Sequence, residues 1–179
     1  MKSKHSALKK LIILAIVVTF TFVAIHSIWF FGYKIVYKNA ADKMEQQYDD
    51  LTQTYEYSKT IDGYVCKLKM PSYLGTGGFL TVGDKDAHMV VFDEAGNVVE
   101  EDELSVTLHI WPKFFGKVKY GISFRTYSTL TQVYVDSNGN YIRSENNEEN
   151  LEKNEALIQQ YKSEIEKMFE IAKQVWGDT

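Results

Sequence analysis

The chain contains a single cysteine, Cys66, among its 179 residues. An intrachain disulfide therefore cannot form, which is unusual for a small secreted animal domain and ordinary for a bacterial one. The sequence also contains no Asn-x-Ser/Thr site for N-glycosylation. Both absences favour a bacterial cell envelope, such as a Gram-positive surface, over an animal extracellular space.

Residue types that carry catalysis or bind metals are also scarce. His5 and His26 lie before or within an apolar segment, and His88 and His109 fall on predicted strands with no His or Cys at zinc-ligand spacing. Cys66 alternates with apolar residues, which predicts a small buried side chain rather than a nucleophile. We therefore predict no catalytic residue, no cofactor and no metal ion.

Three other segments resemble ligand sites only in part. Residues 75–78 are rich in glycine but lack the Lys-Ser/Thr pair and the helix that follow a phosphate-binding loop. Residues 136–147 begin like a calcium loop, yet glycine stands at the fourth position and Asn147 at the twelfth. The acidic residues between 93 and 103 form two runs, 93–94 and 100–103, on either side of a predicted hairpin turn. This arrangement favours a solvated loop over acid–base chemistry or weak cation binding.

Acidic residues are absent from the first 38 positions, which hold six of the 20 basic residues. The remaining 14 basic residues stand against 24 acidic ones, so residues 39–179 carry a net charge of −10. This balance argues against nucleic acid, and against an anionic lipid surface, as the main partner. The high aromatic content predicts a folded core rather than a disordered chain.

The most informative feature is residues 11–32, which contain no formally charged side chain. As a helix they would extend about 33 Å, enough for a hydrocarbon core of about 30 Å. A cleaved signal peptide would have a shorter apolar region and a small-x-small cleavage site. A soluble core helix would rarely be apolar on every side. We therefore predict an uncleaved transmembrane anchor that contacts the lipid bilayer through residues 11–32.

Flanking charges predict the orientation of this anchor. Four lysines precede it without an acidic residue, so residues 1–10 form a basic cytoplasmic tail. An aromatic cluster at the other end fits the outer membrane–water interface; it comprises Trp29, Phe30, Phe31 and Tyr33. The predicted protein is a single-pass plasma-membrane protein whose C-terminal domain is extracytoplasmic. Residues 33–53 are interpreted as a juxtamembrane stalk that could continue the helix.

The extracytoplasmic domain, residues 54–179, has the pattern of an α+β fold. Apolar residues alternate with polar ones in segments 64–70, 104–111 and 117–125, and shorter strands are predicted at 79–82, 88–92, 131–135 and 141–143. This alternation predicts about six or seven antiparallel strands with one buried face. Residues 92–99 and 135–142 share an Asp and a Gly three positions later, which predicts two hairpin turns.

Residues 147–176 predict a long amphipathic helix. Asn147 is a candidate N-cap, and Gly177 is expected to end the helix. Some apolar positions repeat every seven residues, as in a coiled coil, but additional apolar residues widen the stripe beyond a narrow seam. Packing across the apolar face of the sheet is the favoured interpretation, with oligomerisation through this helix as the alternative.

One loop carries unexpected apolar residues. Phe114 and Phe115 stand between two predicted strands with lysines around them, although loops are usually polar. We interpret the segment as a contact for a protein partner or the membrane; its residues are Trp111, Lys113, Phe114, Phe115 and Lys117. In the alternative, the loop folds back and both rings close the end of the core.

These features predict a membrane-anchored, extracytoplasmic binding or accessory module with a protein partner at the membrane surface. A surface enzyme assembled from His88, His109 and the acidic residues is the second hypothesis. A structural stalk that oligomerises through residues 147–176 is the third.

Overall fold

The computed structural model describes residues 2–49, 54–71, 77–84, 104–113, 117–126, 128–143 and 150–177. A long helix is followed by seven strands and two further helices. The elements are α1 (Lys2–Ala41), β1 (Glu45–Asp49), β2 (Thr54–Ile61), β3 (Tyr64–Lys69), β4 (Phe79–Asp84), β5 (Ser105–Trp111), β6 (Lys119–Arg125), β7 (Leu130–Val135), α2 (Leu151–Gln160) and α3 (Lys162–Trp176). The predicted α+β class is confirmed.

The strands form one antiparallel sheet in which each strand pairs with its neighbours in the sequence. This meander needs only hairpin connections, because antiparallel neighbours run in opposite directions. Alternate residues point to opposite faces. One face, here called the inner face, carries the apolar residues of the alternating pattern, and the other is called the outer face.

The core lies between the inner face and α3. Buried residues from five strands supply the sheet side: Cys66, Leu68, Leu80, Val82, Val106, Leu108, Ile110, Ile122, Phe124, Val133 and Val135. The facing side of α3 buries Ile165, Met168, Ile171, Ala172, Val175 and Trp176. Each of the larger side chains stabilises the fold by about 1.5–3 kcal/mol relative to an exposed position. The predicted apolar stripe of the C-terminal helix therefore packs against the sheet of its own chain.

The C-terminal helical region differs in detail from the prediction of one helix over 147–176. Two helices meet at Tyr161, whose backbone departs from helical geometry (φ −101°, ψ 18°). Gly177 ends α3 with φ 81°, and its N–H donates to the carbonyl of Lys173 at 2.8 Å, so the predicted stop is confirmed. Asn147 lies outside the described residues.

Helix α1 does not stop at the end of the apolar segment. It continues through residues 33–41, and its last turns bury Tyr37, Ala40 and Ala41 in the core. After Ala41 the chain turns back into β1 at the edge of the sheet. The predicted stalk is therefore partly helix and partly strand, and its helical part is packed against the domain.

The hairpin turn predicted at 135–142 is present. The Asp136 carboxylate accepts hydrogen bonds from the backbone N–H groups of Asn138 and Asn140, at 2.8 and 2.9 Å. Gly139 adopts the left-handed conformation with φ 78°. The chain returns as a single bridge, Val135 to Tyr141, rather than as the strand predicted at 141–143. The predicted turn at 92–99 and the predicted strand at 88–92 lie outside the described residues.

Candidate functional site

The two ends of the sheet can be defined from its register. At one end, Lys69 pairs with Phe79, and Trp111 pairs with Lys119. Leu80 pairs with Ile110, so Phe79 and Trp111 are neighbours as well. We call this the proximal end. The opposite, distal end is marked by the pair Tyr64–Asp84 and by the pair Ser105–Arg125.

Helix α1 contacts the sheet at the proximal end. The Tyr37 hydroxyl donates a hydrogen bond to the carbonyl of Gly78 at 2.6 Å, just before β4 begins. A Cβ on Gly78 would lie 2.6 Å from the Lys69 carbonyl oxygen and 2.7 Å from the Tyr37 ring. Only glycine therefore allows the tyrosine, the end of β3 and the start of β4 to approach this closely.

A row of aromatic rings leads from the apolar segment to this contact. Trp29 stacks on Tyr33 with a centroid distance of 5.2 Å, and Tyr33 packs on Tyr37 at 4.9 Å. The two tyrosine hydroxyl groups lie 3.1 Å apart. The spacing of four residues places all three rings on one side of the helix. The three rings therefore form a continuous stack that begins about two helical turns before Tyr37 and ends at its contact with the sheet.

The part of α1 before this contact is apolar and exposed. Leu8–Ala41 is long and apolar enough to cross a membrane, with a mean hydropathy of 2.6 in its most apolar window, where no residue is buried. Exposed aliphatic and aromatic side chains surround this part of the helix. Such a surface is unfavourable in water, because the hydration of apolar area costs free energy. Soluble domains therefore rarely leave so large a contiguous apolar surface uncovered.

The predicted contact residues fall at the proximal end. Trp111 is half-buried at the end of β5, and Lys113 and Lys117 are exposed in the connection to β6. Phe114 and Phe115 lie outside the described residues. Whether the two phenylalanines dock on a partner or close the core therefore stays a prediction.

An aromatic cluster covers the proximal half of the outer face. The Trp111 ring lies over Gly121, where a Cβ would be only 3.0 Å from the indole. Trp111 stacks on His109 at 5.7 Å and packs against Tyr134 at 6.2 Å, and Phe79 lies 6.4 Å from His109. The ammonium groups of two lysines lie over this cluster: Lys69 is 5.9 Å from the Phe79 ring and Lys119 is 6.0 Å from the Tyr134 ring.

His109 and Ser123 form a polar pair beside this cluster. The His109 Nε2 and Ser123 Oγ atoms are 2.8 Å apart on adjacent strands. Burial lowers the pKa of His109, so the imidazole is neutral at pH 7. A neutral histidine at this distance could act as a base toward the hydroxyl, but the same geometry also satisfies two buried polar groups.

Carboxylates gather at the distal end. Burial and the nearby charge of Asp84 raise the pKa of Glu164, the first-turn carboxylate of α3. The pKa of Tyr64 is raised by burial and by the charges of Glu164 and Asp84. The distal end is thus a region of negative charge repulsion.

No group of three or more His, Cys, Asp or Glu side chains that could hold a metal ion occurs within the described residues. Cys66 is buried in the core, as predicted, and burial raises the pKa of its thiol to about 12 despite the opposing effect of Lys59. Such a thiol stays protonated at neutral pH, so it is a poor nucleophile. His88 and the acidic residues from 93 to 103 lie outside the described part of the chain.

Two features of this region were not anticipated from the sequence. One sequence feature could have indicated the Tyr33–Tyr37 contact with Gly78: a pair of tyrosines stands four residues apart directly after the apolar segment. The sequence feature that indicated the His109–Ser123 pair was weaker, since it was only that both residues fall on the polar side of their strands. Their proximity depends on the register of β5 and β6, which alternation alone does not define.

The comparisons with known proteins give no further assignment. No protein-family model matches the sequence, and no curated protein and no solved structure shows significant similarity to it.

Proposed function

We propose that this protein is a single-pass membrane protein whose α+β domain acts as an extracytoplasmic binding or accessory module of a bacterial cell envelope. One observation carries the proposal. The exposed apolar part of α1 runs without a break into the last turns of the helix, which are packed into the domain core. A bilayer would cover the exposed part, and the domain would then be held directly at the membrane surface.

The orientation follows from charge, because the lysines before residue 11 favour a cytoplasmic N-terminus. Two cysteine variants test this in intact cells, Lys4→Cys in the tail and Ser128→Cys in the exposed β6–β7 connection. A membrane-impermeant maleimide should label Ser128→Cys and leave Lys4→Cys unlabelled. The native chain is the blank, since its only thiol is buried. The reverse labelling pattern would contradict the orientation, and release of the protein by alkaline carbonate would contradict the anchor.

The outer face supports a binding role. Its half-exposed aromatic rings belong to the residue types that are enriched in recognition surfaces. A photo-crosslinking residue at Tyr134, in this cluster, should form a recurrent adduct with one protein of intact cells. The same residue at Tyr55, exposed on β2 away from the cluster, is the matched control. Absence of any adduct specific to Tyr134 would count against a protein partner on this face.

A surface hydrolase is the second candidate, favoured by the 2.8 Å distance between His109 and Ser123. A fluorophosphonate probe, which reacts with activated serines, distinguishes the two functions. A binding module should remain unlabelled, whereas labelling that is lost in Ser123→Ala would establish the hydrolase and overturn the first proposal.

Oligomerisation through residues 147–176 is less well supported. The apolar stripe of α3 packs against the sheet of its own chain, so self-association would need the polar outer side of the helix. Size measurement of the detergent-solubilised chain tests this alternative, for which a monomer is the expected result.

A further inference from the structure

We infer that the proximal end of the sheet docks on anionic phospholipid headgroups beside the anchor, so that the domain has one fixed orientation on the membrane. The inference rests on the proposed membrane anchor and goes beyond it. The surface concerned is the lysine patch, defined as Lys69, Lys113, Lys117 and Lys119, all of which are exposed.

The first argument is depth. Tyr33 follows the apolar segment directly, and a Cβ on Gly77 would lie 3.7 Å from its hydroxyl oxygen. From Gly32 to Tyr37 the helix rises about 7.5 Å, which is close to the thickness of one headgroup layer, about 5–8 Å. Tyr37 holds the start of β4 at 2.6 Å, so the proximal end lies at headgroup depth. Neighbouring strands are about 4.8 Å apart, so Lys119, at the start of β6 and two strands from β4, lies roughly 10 Å from this contact.

The second argument is charge segregation. Three strand connections emerge at the proximal end. The β1–β2 connection at the edge of the sheet follows Asp49 and begins with Asp50, whereas residues 69–79 and residues 111–119, on either side of β4 and β5, together contain four lysines and no acidic residue. The connection that joins the distal ends of β4 and β5, residues 85–104, contains seven acidic residues and one lysine in its sequence. The net charge of −10 therefore conceals a local cluster of lysines beside the α1 contact and an acidic connection that leaves from the opposite end. An anionic surface attracts the first and repels the second.

The third argument is shape. A groove of about 850 Å³ opens at the proximal end, and three of the four patch lysines, Lys113, Lys117 and Lys119, line it together with Tyr134 and Ser137. Two carboxylates lie close to the patch: Glu56 is on β2, and Asp136 lines the same groove as the lysines. The Asp136 oxygens already accept hydrogen bonds from Asn138 and Asn140. The lysines are thus available to phosphate groups of the bilayer.

Two serine variants test the docking in the full chain. Ser137→Cys lies beside the lysine patch, Ser128→Cys lies at the distal end, and both side chains are exposed. Each variant is labelled with an environment-sensitive fluorophore and inserted into nanodiscs. The lipid is either phosphatidylcholine alone or an equal mixture with phosphatidylglycerol, and both contain a headgroup spin label as quencher.

The expected result is strong quenching at Ser137→Cys in the anionic nanodiscs, lost at high salt because screening removes the attraction. Quenching should be weak at Ser128→Cys in both lipids. Equal quenching at the two positions, or quenching at Ser137→Cys that is independent of lipid charge and salt, would overturn the inference. A chain that does not insert at all would contradict the proposed anchor instead, and insertion is read separately by flotation with the nanodiscs.

Charge reversal gives a second measurement. Lys113→Glu combined with Lys117→Glu should lower the ratio of docked to undocked domain by on the order of thirty-fold or more. Lys153→Glu combined with Lys162→Glu changes the net charge equally on exposed positions of α2 and α3 and should have little effect. Equal losses in the two double variants would show that net charge, rather than the patch, controls docking.

Discussion

The proximal and distal ends of the sheet are formed by the same central strands, yet they differ in charge and in packing. The proximal end holds α1 through Tyr37 and Gly78 and carries exposed lysines and aromatic rings. The distal end brings Glu164 and Asp84 together and is followed by an acidic connection. Antiparallel strands make this separation simple, because alternate connections always emerge at opposite ends.

The comparison shows how a net charge can mislead. A domain with a charge of −10 is expected to avoid an anionic surface, but the charge is distributed unevenly between its two ends. An electrostatic attraction acts over roughly 10 Å at moderate salt, less than the length of a domain. The interaction with a membrane therefore depends on the charges at the end that faces it, and the net charge of the whole domain has little influence.

The largest expected effect is that of Gly78→Ala at the proximal end. The new Cβ would overlap a backbone carbonyl and the Tyr37 ring, which cannot both move. We expect the free energy of unfolding to fall by about 3 kcal/mol. Thermal and urea unfolding of the detergent-solubilised chain measure it. Gly77→Ala is the control, because its Cβ would meet only the Tyr33 hydroxyl at an ordinary 3.7 Å; equal losses would refute the packing argument.

Tyr37→Phe should have the next largest effect. It removes the 2.6 Å hydrogen bond and leaves the Gly78 carbonyl without this donor, at a cost of about 1–2 kcal/mol. The same unfolding measurements apply, and limited proteolysis near residues 38–44 should become faster. Tyr55→Phe, at an exposed position on β2, should change neither property. Unchanged stability in Tyr37→Phe would mean that the tyrosine does not hold the sheet to α1.

His109→Gln tests the outer face. Because burial lowers the pKa of His109, the unfolded state binds more protons below pH about 6.5, and the native protein loses stability as the pH falls through this range. The free energy of unfolding of the variant should therefore fall less on acidification. At pH 7 the variant should be less stable than the native protein by about 1 kcal/mol, because its hydrogen bond to Ser123 is weaker. Parallel pH profiles of native protein and variant would show that His109 is not the titrating group.

The smallest expected effect belongs to Glu164→Gln at the distal end. The folded state raises the pKa of Glu164, so it binds more protons than the unfolded state above the ordinary carboxyl range. This carboxylate therefore lowers stability as the pH rises, opposite in sign to His109. The variant should be more stable at pH 7 by less than about 1 kcal/mol, because the site is partly solvated. Glu56→Gln on β2 serves as the control, and a destabilised Glu164→Gln would contradict the repulsion from Asp84.

Much of the fold could be predicted from local sequence patterns. Segments 64–70, 104–111 and 117–125 became β3, β5 and β6 because period-two alternation directly encodes a sheet with one buried face. The apolar stripe predicted for residues 147–176 packs across this sheet, and the turn at Asp136 and Gly139 was encoded by its own residues. Strands β1 and β2 were missed, since their residues are polar enough to resemble a stalk or a loop.

The candidate site was harder to predict from the sequence. Trp111, Lys113 and Lys117 were identified as surface residues, but nothing local indicated that their loop lies at the same end of the sheet as the α1 contact. That juxtaposition joins residues 33–37, residues 77–79 and the β5–β6 connection, which are separated from one another by more than thirty residues in the sequence. Only strand order and register bring them together.

The sequence by itself determined the long apolar helix, the alternating strands and the positions of the charges, because each depends on residues within a few positions of one another. The tertiary structure decided that α1 ends inside the domain and that four exposed lysines from two separate connections come together beside the α1 contact. Both depend on side-chain packing between distant segments, above all the close approach of Tyr37 to Gly78. Such packing is selected by the whole fold, so no single segment can reveal it.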